Sequence, residues 1–164
     1  MPVSTNTTNT SHTPDTAAAP AHPSAVPSDY ALRLGYAGLI PFVLGALLAH
    51  LVRDEVYNYV ALGMAAYAAV IVSFLGGIHW GLGMRQSAEP DRTYAWGVVP
   101  SLVAWIAAVM PAYAGLVIQG LMLIVCYLVD RRRYPAHGVG AWLTLRFRLT
   151  VVASLSCLLA AARF

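Results

Sequence analysis

The sequence predicts an all-α protein: a polytopic membrane helix bundle of about five transmembrane helices behind a disordered N-terminal tail. Three observations carry that prediction. Of 164 residues, 59% are hydrophobic and only 10% are charged, against about 25% charged in a typical soluble domain. The apolar residues gather into stretches long enough to cross a bilayer, which takes roughly 20 residues per helix. All ten basic residues are arginines, and most of them flank those stretches instead of forming a basic module of their own.

Residues 1–29 are rich in Thr, Ser, Pro and Ala. Such a stretch buries too little apolar surface to offset its ordering entropy, so a disordered tail is expected, with the bundle confined to residues 30–164. The tail has neither the basic start and apolar run of a signal peptide nor the arginines of a transit peptide, so the first span is expected to direct the chain to the membrane.

The first span runs from Leu34 to Val52, with Gly35, Gly38, Pro41 and Gly45 inside it, and the second from Tyr57 to Met84. Residues 96–129 are uncharged but too long for one crossing at about 1.5 Å per residue. Pro111 and Gly115 fall in their middle, so the stretch divides into spans over 96–110 and 112–129. A fifth span covers 142–162, with Arg146 and Arg148 in its opening turns.

Charge then orients the bundle. On alternating connections, one side carries Arg33, Arg85, Arg92, Arg131, Arg132, Arg133, Arg146 and Arg148, and the other only Arg53 and Arg163. Basic residues near span ends stay in the cytoplasm. The N-terminus is therefore expected in the cytoplasm and the C-terminus in the periplasm of a bacterial inner membrane. The net charge of +3 is thus topological; a nucleic-acid partner would want a basic, aromatic-laced face on a soluble module. The expected partner is the lipid bilayer.

Along the second span, Ala61, Ala65, Ala69, Ser73, Gly77 and Gly81 recur every four residues. Small residues let helix backbones approach closely in lipid, so this stripe is expected either to make the second span the central helix of its own bundle or to form a seam for self-association or another membrane subunit.

The polar residues of the spans collect toward one end. His79 lies a turn and a half before Arg85 with Trp80 beside it, and Pro100 and Ser101 sit about one turn into the third span. Asp130, Arg146, Arg148 and Thr150 also lie near inner ends. Ionisable groups inside a membrane mark functional sites by default, so His79, Trp80, Pro100, Ser101, Asp130, Arg146, Arg148 and Thr150 form a candidate inner-leaflet polar site, with no residue assigned a catalytic role. It serves either as a proton or anion contact with His79 titrating, or as a lock in which Asp130 pairs with an arginine and His79 bonds a carbonyl.

No cofactor or metal is expected. His50 ends the first span on the outer side and His79 sits near the inner side, so the two cannot share a haem. Cys126 and Cys157 lie in apolar runs without metal-ligand spacing. The HExxH, GxSxG and P-loop patterns of enzymes are missing.

Three segments carry a family likeness: Ser73-Phe74-Leu75-Gly76-Gly77-Ile78-His79-Trp80-Gly81, Pro100-Ser101-Leu102-Val103-Ala104-Trp105, and Leu145-Arg146 with Leu149-Thr150. Together they resemble the domain-of-unknown-function 3429 family of transmembrane protein 69-like membrane proteins, over about residues 32–159. The resemblance implies a multi-span protein of bacterial inner or mitochondrial membranes with no established activity, and no catalytic residues to carry over.

Three function classes follow. Small size, short loops and a helix suited to close packing favour a non-enzymatic accessory or assembly factor of a larger inner-membrane complex. A small oligomeric transporter or channel for a proton or small anion is the second. A membrane enzyme acting on a lipid or quinone, with His79 as acid or base, is the third.

Overall fold

The computed structural model describes residues 26–85 and 91–163, and within them the chain forms six α-helices and no strand. Most of the tail expected to be disordered, residues 1–25, lies outside the described residues. The chain is an all-α membrane protein.

Helix α1 (Asp29–Ala37) starts where Ser28 accepts a hydrogen bond from the Ala31 amide at 3.2 Å, with Asp29 in the first turn facing the positive end of the helix dipole. It stops at Gly38, and α2 (Ile40–Leu51) resumes with Pro41 in its first turn. Proline removes a backbone donor there and bends the path. The Tyr67 hydroxyl donates to the Gly38 carbonyl at 2.9 Å, satisfying an acceptor at the bend.

Helix α3 (Asp54–Met84) has 31 residues, roughly 46 Å at 1.5 Å per residue, more than the hydrocarbon layer of about 30 Å. Helix α4 (Asp91–Val109) returns alongside it and α5 (Ala112–Arg133) follows directly, the break falling where Pro111 cannot continue the ladder. Arg131, Arg132 and Arg133 close α5 at its negative end. A turn at Gly138, whose φ of 71° suits glycine, and one turn of 3₁₀ helix (Gly140–Trp142) lead into α6 (Leu143–Ala162).

Four stretches are long and apolar enough to cross a membrane: 29–51, 54–84, 112–133 and 140–162. Helix α4, which carries Asp91, Arg92 and Pro100, is not among these four, yet it covers the same ground. Tyr94 lies against Gly83, Gly97 against Gly76, and Ala107 against Gly115, which in turn faces Ala65. From Gly83 to Ala65 the partner helix runs 18 residues, about 27 Å, so α4 completes a bundle of five legs.

The packing is inside-out by the standards of a soluble protein. Ala46, Ala49, Ala61, Ala65, Ala68, Ala104, Ala107, Ala153, Ala160, Gly76 and Gly115 fill the interior, while Leu34, Ile40, Leu47, Val70, Phe74, Leu102, Trp105, Val109 and Leu155 stand exposed. Lipid tails solvate large apolar side chains and offer helices no hydrophobic reason to associate, so contact goes to residues that let backbones touch. The tightest contacts are glycines. A Cβ on Gly76 would lie 2.4 Å from the Gly97 carbonyl oxygen, and one on Gly115 would lie 2.5 Å from that of Ala107.

At one end of the bundle a second fastening joins α2, α3 and α6. The Tyr57 hydroxyl donates to the Ala160 carbonyl at 2.8 Å, and Arg163 reaches the Ala49 carbonyl and, at 2.8 Å, Asp54. His50 meets the Leu159 carbonyl at this same end, at 3.2 Å.

Candidate functional site

The opposite end holds the candidate site. His79 stands five residues before the end of α3, Asp130 three before the end of α5, and Arg146 three after the start of α6. Each is thus roughly 5–8 Å inside its helix end. The helices bring the three together, and all three are buried.

The Asp130 carboxylate is the hub. Its Oδ1 lies 2.9 Å from His79 Nε2; its Oδ2 accepts from Arg146 Nε at 2.9 Å and from Arg146 Nη2 at 2.6 Å. With the ring hydrogen on Nε2, His79 donates to Asp130 and turns a bare Nδ1 inward, where it has no hydrogen-bond partner among the described residues. The Arg146 guanidinium and the Asp130 carboxylate form an ion pair of opposite charges in a low-dielectric setting.

Tyr134, just past α5, is the member that the sequence did not single out. Its ring centroid lies 6.3 Å from that of His79, and its buried phenol sits beside Asp130 and Arg146. Burial, reinforced by the neighbouring Asp130 charge, pushes its phenol up to about 12. Tyr134 falls outside the apolar stretch used to define the fourth span, so hydropathy gave no signal for it. The spacing Asp130-x-x-x-Tyr134, one helical turn, is the sign that could have found it.

The remaining candidates lie elsewhere or at the margin. Thr150 is one turn along α6 from Arg146 and buried. Trp80 sits on the far side of α3, exposed, and donates to the Tyr94 carbonyl at 3.0 Å. Pro100 is buried in the α3–α4 seam beside Gly76, and Ser101 follows it, half-buried. Arg148 is exposed and donates to the Tyr36 hydroxyl at 3.1 Å. The eight residues therefore divide into a buried cluster on α3, α5 and α6, a seam on α3 and α4, and one outlying arginine.

The small-residue stripe divides too. Ala61 and Ala65 are buried, Ala69 and Ser73 half-buried, and Gly77 and Gly81 exposed with nothing within 4 Å of a Cβ. A four-residue step overshoots a helical turn by about 40°, so five steps wind the stripe roughly 200° around α3. It is a spiral from the interior to the outer face. Cys126 and Cys157 are free and buried in the core.

A lateral cavity of about 550 Å³ adjoins the buried cluster, lined by residues of α1, α2, α3, α5 and α6. Arg146, Tyr134 and Thr150 are on its wall.

Comparison with known proteins gives one family. The family described as "Protein of unknown function (DUF3429)" matches residues 27–162. Transmembrane protein 69 of Xenopus tropicalis is 42% identical over 134 residues, covering 77% of this chain and 51% of that protein. Transmembrane protein 69 of Mus musculus is 38% identical over 80 residues, covering 47% of this chain and 32% of that protein. The matched part spans about half the length of the frog relative and about a third of the mouse one. No solved structure gives a significant match.

Proposed function

This chain belongs to the DUF3429 family, and from that premise we propose that it acts as a non-enzymatic accessory or assembly factor of a larger inner-membrane complex. The observation that carries this reading is the closure of the ion cluster. Both oxygens of Asp130 are engaged inside the bundle, by His79 on one side and Arg146 on the other. A general acid or base works on a proton of a bound substrate; a carboxylate held on both sides by its own protein is built to fasten helices.

The outer face supports the same reading. Gly77 and Gly81 stand open on α3 between the exposed Phe74 and Trp80. A GxxxG face with bulky neighbours admits a second helix at close range, and a transmembrane helix of another subunit is the occupant this role calls for. The arginine distribution supports a cytoplasmic end at Arg85, Arg131 and Arg146 and a periplasmic end at Arg53 and Arg163.

The test is the native mass of the protein purified in mild detergent from its own host at endogenous level. A stoichiometric partner chain is the expected result and would name the complex. A bare monomer or a clean homo-oligomer would overturn the proposal.

A further inference from the structure

Fastening helices does not explain the cavity beside the cluster. Its volume of about 550 Å³ lies inside the roughly 300–1,000 Å³ range of small-molecule sites. It exists because α2 packs on both α3 and α6, whereas α1, turned aside by the Gly38–Pro41 bend, packs on α6 without comparable contact to α3. The lining follows α1 and α2 from Ala31 to Phe42, eleven residues or roughly 16 Å. Leu34, Phe42, Ile71, Phe74, Leu75 and Leu149 make most of the wall apolar, so the occupant carries a long apolar part.

Three polar side chains set the other part: Tyr134, Arg146 and Thr150. Thr150 is 4% exposed and its hydroxyl has no hydrogen-bond partner among the described residues. A buried hydroxyl left unpaired is unfavourable, and Thr150 is among the residues lining the cavity, so a rotation about its Cα–Cβ bond is what would present the hydroxyl to an occupant. Charge selects what it meets. The Arg146 guanidinium is already balanced by Asp130, so an anionic head would leave a net negative charge in a low-dielectric site. A neutral head with carbonyl acceptors would not.

Two donors, Arg146 and Thr150, lie one turn apart on α6, about 6 Å along the axis, which suits a ring with an acceptor on each side. Phe74 and Trp142 on the wall provide faces for a planar ring. We infer that the cavity binds a membrane quinone, with its ring at Thr150 and Arg146 and its isoprenoid tail along the gap between α1 and α3. This inference stands on the cavity and does not depend on the accessory role.

Decylubiquinone is the probe. Trp142 lines the cavity, so titrating the detergent-purified protein should quench tryptophan fluorescence saturably, and Trp142→Phe should remove most of that quench. Thr150→Val should weaken the Kd roughly threefold to tenfold, the effect of one hydrogen bond. Its thermal unfolding should be unchanged or later, because an unpaired hydroxyl has gone. Should that variant fail to fold, Gly35→Leu, placed where a side chain would meet Leu145 and Leu149, should abolish the saturable component by bulk. Absence of saturable quenching would overturn the inference, as would quenching that persists unchanged in the Trp142 and Thr150 variants. So would phosphatidylglycerol reversing the quench at concentrations comparable to that of the probe, which would make an anionic lipid the occupant.

Discussion

Arg146 gives both of its contacts with Asp130 to one oxygen, Oδ2, through Nε at 2.9 Å and Nη2 at 2.6 Å. The other oxygen is thereby left to His79. A bidentate grip would have used both oxygens for the arginine and tied only two helices. The side-on grip ties three, α3, α5 and α6, through a single carboxylate.

Removing that carboxylate strands a buried guanidinium. Asp130→Ala is expected to lower unfolding stability in detergent by about 3–5 kcal/mol. Replacing the whole cluster with His79→Leu, Asp130→Leu and Arg146→Met should recover most of the loss, because apolar side chains of similar volume carry no desolvation cost. Denaturant titration of the parent, the Asp130→Ala protein and the triple variant checks both expectations. An Asp130→Ala protein as stable as the parent would remove the fastening role.

Adjacent glycines on α3 should respond oppositely. Gly76→Ala puts a methyl 2.4 Å from the Gly97 carbonyl oxygen, so α3 and α4 must separate, at about 1–3 kcal/mol. Gly77→Ala meets nothing within 4 Å and should gain up to about 1 kcal/mol from helix propensity. Thermal unfolding of the pair separates them without reference to function.

Tyr134 gives the protein an alkaline limit. Its phenol is raised from 10.0 to about 12, so the folded state holds that proton more tightly than the unfolded chain does. The associated stability is fully present below pH 10 and lost as pH rises toward 12, on the order of 2–3 kcal/mol. Unfolding measured from pH 9 to 12 should show this decline, and the difference between the parent and Tyr134→Phe isolates it from the other tyrosines.

Five legs together with the arginine distribution give an expected topology. A reporter active only in the cytoplasm should stay silent when fused after Phe164 and should be active when fused after Arg133. Activity at both positions would mean an even number of crossings.

The fold class was legible because lipid imposes it: long uncharged stretches, arginines at their ends, and a proline at Pro111 where the ladder must stop. The candidate site was legible as a list of polar residues near one end, because ionisable groups in an apolar run stand out one by one. Their grouping was not. His79 and Asp130 are 51 residues apart, and nothing in a single chain distinguishes that pairing from one with a backbone carbonyl. The same holds for Gly76 and Gly97, whose contact requires two glycines on different helices at one level. The period-four stripe drew the eye to Gly77 and Gly81, but four residues are not a whole number of turns, so periodicity marked residues that wind out of the interior.

Shared charge also bears on biogenesis. Entering the bilayer alone, α5 would carry Asp130 and α6 would carry Arg146, each opposing insertion by roughly 2.5–3.5 kcal/mol at the membrane centre and less near the ends. Entering as a hairpin, the two arrive neutralised. Inserted as a hairpin, α5 and α6 therefore meet a smaller electrostatic cost than either helix would meet alone.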